Sequence, residues 1–174
     1  LATPFHPGPA GKGFPRRSSH VGQESRNPKK RKERERRMKL VIAEKKSVAT
    51  AIAQALCAAP VQRDGCYECG QLLVTWAQGH LIDLAMPEDY KDRDWRKWSL
   101  DTLPVDPSGH WRWKISEERG AGSRYRQIVR LIRRTDVDCL VNACDPDREG
   151  EAIFRRIADM EGSRKPELRL WVAS

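Results

Sequence analysis

Val141-Asn-Ala-Cys-Asp-Pro-Asp-Arg-Glu-Gly-Glu151 joins an apolar run to a knot of carboxylates. Residues Asp138–Ala143 have the composition of a short buried strand, which ends almost directly in Asp145, Pro146 and Asp147. Glu149 and Glu151 then open a helix predicted over Glu149–Met160, with Ile153, Ile157 and Met160 facing inward. A strand that passes through an acidic turn into a helix is a unit of a parallel sheet. Ligands of open α/β folds sit at the carboxyl edge of such sheets.

The same unit recurs earlier in the chain. Leu40–Ala43 is too short an apolar run for a helix and suits a buried strand; Glu44 and Lys45 follow it directly. Ser47 offers an N-cap for a helix over Val48–Ala59, with Val48, Ile52 and Leu56 four residues apart and Pro60 as the stop. Residues 66–76 read as a hairpin or two short strands around Gly70, followed by Gly79–Ala85. Residues 87–113 read as an irregular excursion anchored by Trp95, Trp98, Trp111 and Trp113. Trp111–Ser116 alternates as a strand, Ser123 can cap a helix through Arg134, and Leu168–Ala173 reads as a final strand. Strands alternating with helices predict an α/β fold: a mainly parallel, Rossmann-like sheet with helices on both faces.

The 174 residues carry a net charge of +9, but unevenly. Residues 1–37 hold 11 of the 33 Lys and Arg and 3 of the 24 Asp and Glu, a balance of +8; the remainder is at +1. That segment has five prolines and the run Lys29-Lys-Arg-Lys32, with few large apolar side chains to offset ordering entropy. It reads as a disordered basic tail or as upstream sequence that is not normally translated, with residues 38–174 as the folded domain. No apolar run nears the roughly 18 residues of a membrane span, and no signal-peptide pattern is visible, so a cytoplasmic, membrane-free location is expected. Five cysteines without a leader argue against a disulfide framework. Cys66 and Cys69 have the spacing of half a zinc site without a second half, so reduced structural thiols are expected.

Asp145 and Asp147, two apart, can turn to the same side of an extended backbone, and Pro146 stiffens the turn between them. Carboxylates so close repel and need a proton or a cation. Hard oxygen donors suit Mg²⁺, which takes one or two carboxylates and keeps waters for phosphate oxygens. A helix N-cap with acids in its first turn explains Asp147, Glu149 and Glu151 equally well. It does not explain Asp145 or the embedded Arg148. Adjacent strands would bring Glu44 toward Asp145 and Asp147, and the helix N-terminus after Lys45 offers amides for a phosphate.

Taken together these stretches resemble the Toprim domain. Residues 38–174 resemble the opening domain of type IA DNA topoisomerases, of the topoisomerase III kind. The resemblance runs in order through Val41-Ile-Ala-Glu-Lys45 with Ser47-Val-Ala, Val74-Thr-Trp-Ala-Gln-Gly-His-Leu81, the Trp98 and Leu103-Pro104 region, Asp145-Pro-Asp-Arg-Glu-Gly-Glu151 and Leu168–Ser174. It implies that Glu44 transfers a proton at the DNA 3′ oxygen and that Lys45 contacts the phosphate. Asp145 and Asp147 would hold Mg²⁺ with Glu149 assisting; Arg148 would help hold the acidic cluster or contact DNA, and His80 would lie near the cleft that takes a single-stranded region of DNA. The implied reaction is ATP-independent strand cleavage, passage and religation through a tyrosine. Tyr67, Tyr90 and Tyr125 are not in the context of that nucleophile, so the chain is expected to need further domains to act. Lys46 stands where proline is common in the family.

Two other readings remain open. One is a stand-alone Toprim domain of nuclease or primase type. The other is a non-catalytic DNA-binding module that uses the basic tail. A small-nucleotide domain lacks the glycine-rich loop it would need.

Overall fold

The computed structural model describes residues 37–90, 95, 99–105, 109 and 111–171. Its elements follow in the order β1 (Met38–Ala43), α1 (Lys46–Leu56), β2 (Val61–Arg63), β3 (Cys66–Cys69), β4 (Leu72–Trp76), β5 (Ile82–Leu84), β6 (Trp113–Ile115), α2 (Ala121–Ile132), β7 (Val137–Ala143), α3 (Arg148–Glu161) and β8 (Glu167–Arg169). Six strands form one sheet in the order β2-β3-β4-β1-β7-β8. Strands β4, β1, β7 and β8 run parallel, while β2 and β3 join antiparallel at one side. β5 and β6 pair as a separate antiparallel ribbon.

Both faces of the sheet are covered, which is why Leu40–Ala43 of β1 reads as an unbroken apolar run rather than an alternating one. Leu40 and Ile42 point into a core with Leu73, Leu140, Ile128, Ile132, Phe154 and Ile157, supplied largely by α2 and α3. Val41, Ala43 and Val74 point the other way, onto Ala49 and Ala53 of α1 with Tyr67 and Trp76. The α/β, mainly parallel architecture expected from the sequence is the one found.

Several local expectations are corrected. Lys45, not Ser47, stands at the N-cap of α1 and makes no side-chain capping bond. Gly120 in the left-handed region, not Ser123, precedes α2. Ala49 and Ala53 form the buried centre of α1's inward face with Val48 and Ile52 half-buried beside them, as expected, but Leu56 is exposed. α1 stops at Leu56 rather than Ala59, because Cys57 already leaves the helix for extended backbone (φ −149°, ψ 144°). Cys57 and Cys69 form a disulfide with Cα atoms 5.7 Å apart, against the expectation of reduced thiols throughout; Cys66, Cys139 and Cys144 are free and buried. α1 lies over β3, and that brings the pair together. β2 was not anticipated: all three of its residues are exposed, and its signal was the Asp64-Gly65 turn, both at positive φ (48° and 80°), the geometry that closes a tight hairpin.

Trp111 and Trp113 are not the anchors expected of them, whereas Trp95 is half-buried. Trp111 and Trp113 are 59% and 46% exposed, and Trp98 lies outside the described residues. Tyr90, 2% exposed, is the anchor, with Trp95 tilted against it at 5.2 Å between ring centroids. Met160 faces out, not in. The expected tail falls outside the described residues except for Arg37, which meets Asp138 at 3.5 Å. The final strand ends at Arg169, and the end of its expected range also falls outside them.

Beneath the sheet's carboxyl end lies a buried guanidinium. Arg124 of α2 donates to Trp76 O at 2.6 Å, Thr75 Oγ1 at 2.6 Å, Gly65 O at 3.0 Å and Gln127 Oε1 at 2.7 Å, and it stacks 4.0 Å from the Trp76 ring. Burial pulls its pKa down to about 10. Neutral acceptors hold it, tying α2 to the β4 strand and the β2–β3 turn.

Candidate metal and phosphate site

Two parallel strands deliver the acids. β1 and β7 are neighbours with Ala43 opposite Ala143, so Glu44, which follows β1 directly, and Asp145, one residue past the buried Cys144, both emerge at the carboxyl edge. Lys45 lies between them: its Nζ is 3.1 Å from Glu44 Oε1 and 3.4 Å from Asp145 Oδ2. The hydrogen bond to Glu44, then the charges of Glu44 and Asp145, raise the Lys45 pKa, so the ammonium is fully charged at neutral pH. Glu44 is 7% exposed although it ends a strand. Its backbone is fixed from the other side, because the residues after β4 continue the ladder: Ala77 N donates to Ala43 O and Gln78 N to Glu44 O, both at 2.8 Å.

The acidic turn after β7 is built by close approach. Asp147 caps α3, its Oδ1 accepting from Gly150 N at 2.7 Å. Gly150 leaves no room for a side chain: a Cβ there would stand 2.3 Å from Asp145 O and 2.7 Å from Asp145 N. Arg169 of β8 fastens the turn from outside, donating to Asp145 O at 2.8 Å and Cys144 O at 3.1 Å. Glu151 completes the frame by accepting from Asn142 Nδ2 at 2.8 Å, Arg169 at 3.1 Å and Arg155 at 2.9 Å. Glu151 is thus a brace. Arg169 and Asn142 were missed from sequence, where one arginine in Leu168-Arg-Leu170 gives no sign of reaching a loop across the sheet.

Glu149 and His80 meet elsewhere on the same edge. His80 Nε2 is 3.1 Å from Glu149 Oε1, and its Nδ1 is 3.4 Å from Arg156 Nη1. Arginine only donates, so Nδ1 accepts, which leaves the Nε2 hydrogen for Glu149. Arg148, the first residue of α3, is exposed.

The geometry therefore gathers Glu44, Lys45 and Asp145 into contact, and engages Asp147 in the helix cap and Glu149 with His80. Among the described residues no three His, Cys, Asp or Glu side chains converge as a group able to hold a metal ion. The expected trio of Asp145, Asp147 and Glu149 is accordingly not preassembled. The donors still fit a hard cation in kind. Asp145 already faces a positive charge in the Lys45 ammonium, the cap uses only one Asp147 oxygen, and Mg²⁺ needs only one or two carboxylates.

This sheet, with an acid at the end of its central strand and an acidic turn on the neighbouring strand, defines a Toprim domain: the Toprim family model matches residues 39–174, and the chain belongs to that family. It is similar to DNA topoisomerase 3 of Staphylococcus aureus strain USA300 and of strain NCTC 8325 / PS 47, each 38% identical over 135 residues, which is 78% of this chain and 18% of theirs. The chain thus spans less than a fifth of the length of these relatives. Among the described residues no helix is long and apolar enough to cross a membrane.

Proposed function

We propose that this domain supplies the acid and the phosphate contacts of a type IA topoisomerase reaction on DNA, within a protein that also carries the nucleophilic tyrosine. The observation that carries this reading is the cluster Glu44–Lys45–Asp145, at 3.1 and 3.4 Å, on adjacent parallel strand ends of a Toprim domain. Lys45 lies between the two acids Glu44 and Asp145 and is exposed, so it can turn from them to a phosphate oxygen. Glu44, shielded from water on its strand end, is positioned to give a proton to the departing 3′ oxygen. Asp145 and Asp147 would hold Mg²⁺, with Glu149 free to assist once it leaves His80. The ion would neutralise phosphate charge. His80 and Arg148 would lie toward the DNA, an unpaired strand.

Two substitutions test this. Asp147→Asn keeps an oxygen for the Gly150 cap, so it should weaken Mg²⁺ binding to this chain in calorimetric titration while leaving the melting temperature nearly unchanged. An unaltered titration would remove Asp147 from the site. In a longer protein bearing the tyrosine, Glu44→Gln should slow cleavage more than DNA binding, and equal losses would make Glu44 structural.

A further inference from the structure

We propose that Trp113, stacked with Arg156, is a base-stacking platform for unpaired DNA beside the acidic edge; this deepens the reading above and rests on it. The starting observation is a charge without a counter-charge. Arg133, Arg134, Arg155 and Arg169 each meet a carboxylate. Arg156 meets none among the described residues: its contacts are the Trp113 ring at 4.7 Å, Ile82 O at 3.4 Å and His80 Nδ1 at 3.4 Å. A half-buried guanidinium resting on an indole, a carbonyl and an imidazole is oriented but not neutralised, and an anion would complete it.

The indole itself is the second observation. Trp113 is 46% exposed at one end of the β5–β6 ribbon, with the exposed Leu84 as its cross-strand partner. A large aromatic left open to water beside an unpaired cation is the pairing that binds single strands: the ring stacks a base and the cation meets the neighbouring phosphate. A duplex keeps its bases stacked inside and cannot use the ring this way. The pair is also wired to the acidic edge. Arg156 lies on α3 beyond Glu149, and His80 bridges the two, with 3.1 Å to Glu149 and 3.4 Å to Arg156. A strand held at Trp113 would run past His80 toward Asp145.

The test is fluorescence anisotropy with a labelled single-stranded oligonucleotide and its duplex, using the full 174-residue chain and four proteins: wild type, Trp113→Ala, Trp113→Phe and Arg156→Gln. Trp113→Ala should weaken single-strand binding roughly 5- to 150-fold, leave duplex binding within twofold and leave the salt dependence unchanged. Phenylalanine should restore most of the loss. Arg156→Gln should lower the slope of log affinity against log salt by roughly 0.7, the share of one phosphate contact on a single strand. Circular dichroism of each variant checks the fold. Trp113→Ala binding single strands like wild type, or losing single-strand and duplex binding equally, overturns the proposal. That result would make the exposed ribbon a contact for another part of a longer protein. Mg²⁺ titration of Asp147→Asn reads out the metal site separately, so failure of one reading leaves the other standing.

Discussion

Gly150→Ala puts the construction of the acidic turn to a quantitative test. The added Cβ would stand 2.3 Å from Asp145 O, 2.7 Å from Asp145 N and 3.0 Å from Asp145 C. All three are backbone atoms, so no rotamer relieves the contact. The start of α3 and the turn must part by about 1 Å to restore an ordinary van der Waals distance. Such overpacking costs about 1–3 kcal/mol. The same movement stretches the 2.7 Å bond from Gly150 N to Asp147 Oδ1, and losing a cap costs about 1 kcal/mol more. Alanine's helix propensity returns about 1 kcal/mol at most. The net loss is about 1–3 kcal/mol, or roughly 3–9 °C in melting temperature for a domain of this size. Gly122→Ala is the internal control. A Cβ there meets only the flexible end of Arg126 at 3.4 Å and Ile115 Cγ2 at 3.7 Å, so it should be neutral or stabilising. Thermal unfolding by circular dichroism reads both. If Gly150→Ala melts at or above the wild-type temperature, Asp145 is not held by close approach of the α3 backbone.

Two further outcomes follow from buried polar groups. Arg124→Lys should destabilise by about 2–4 kcal/mol in urea unfolding, because an ammonium cannot reproduce the forked bonds to Trp76 O, Thr75 Oγ1, Gly65 O and Gln127 Oε1; a loss under 1 kcal/mol would show those bonds to be dispensable. Burial pushes the Cys144 thiol up to about 12, whereas an unfolded thiol ionises near 9. Between those values the unfolded state loses a proton that the folded state keeps, so this contribution to stability is intact below about pH 9 and is lost as pH rises toward 12. Cys144→Ala should therefore flatten the alkaline limb of stability against pH, and iodoacetamide at pH 8 should label Cys144 only on unfolding.

The sheet was legible because its central strands are buried on both faces, and that leaves short apolar runs such as Leu40–Ala43 and Cys139–Val141 in the sequence. The acidic edge was legible for a related reason: Glu44 and Asp145 lie within two residues of the ends of those strands, so their nearness needed only the strands to be neighbours. What was not legible is whatever depends on side-chain reach across elements. Arg169 bracing the turn, Arg156 on Trp113 and Arg124 under Trp76 each join residues far apart in sequence, and arginine composition carries no hint of its partner. Helix starts were misplaced for a different reason. Ser47 and Ser123 have good capping chemistry, but the sheet's packing begins α1 and α2 at Lys46 and Ala121.

The pairing of β5 with β6 has a consequence for how freely the chain can vary. Leu84 and Trp113 are cross-strand partners, and Ala85 N donates to Arg112 O at 2.8 Å, so everything between them leaves and returns at one point. The entropy of closing such a loop grows only with the logarithm of its length. Closing the loop therefore sets only a small cost on residues gained or lost inside the excursion while the ribbon stays shut. The fold thereby separates a segment open to change from the two strand ends, Glu44 and Asp145, whose spacing the ladder fixes.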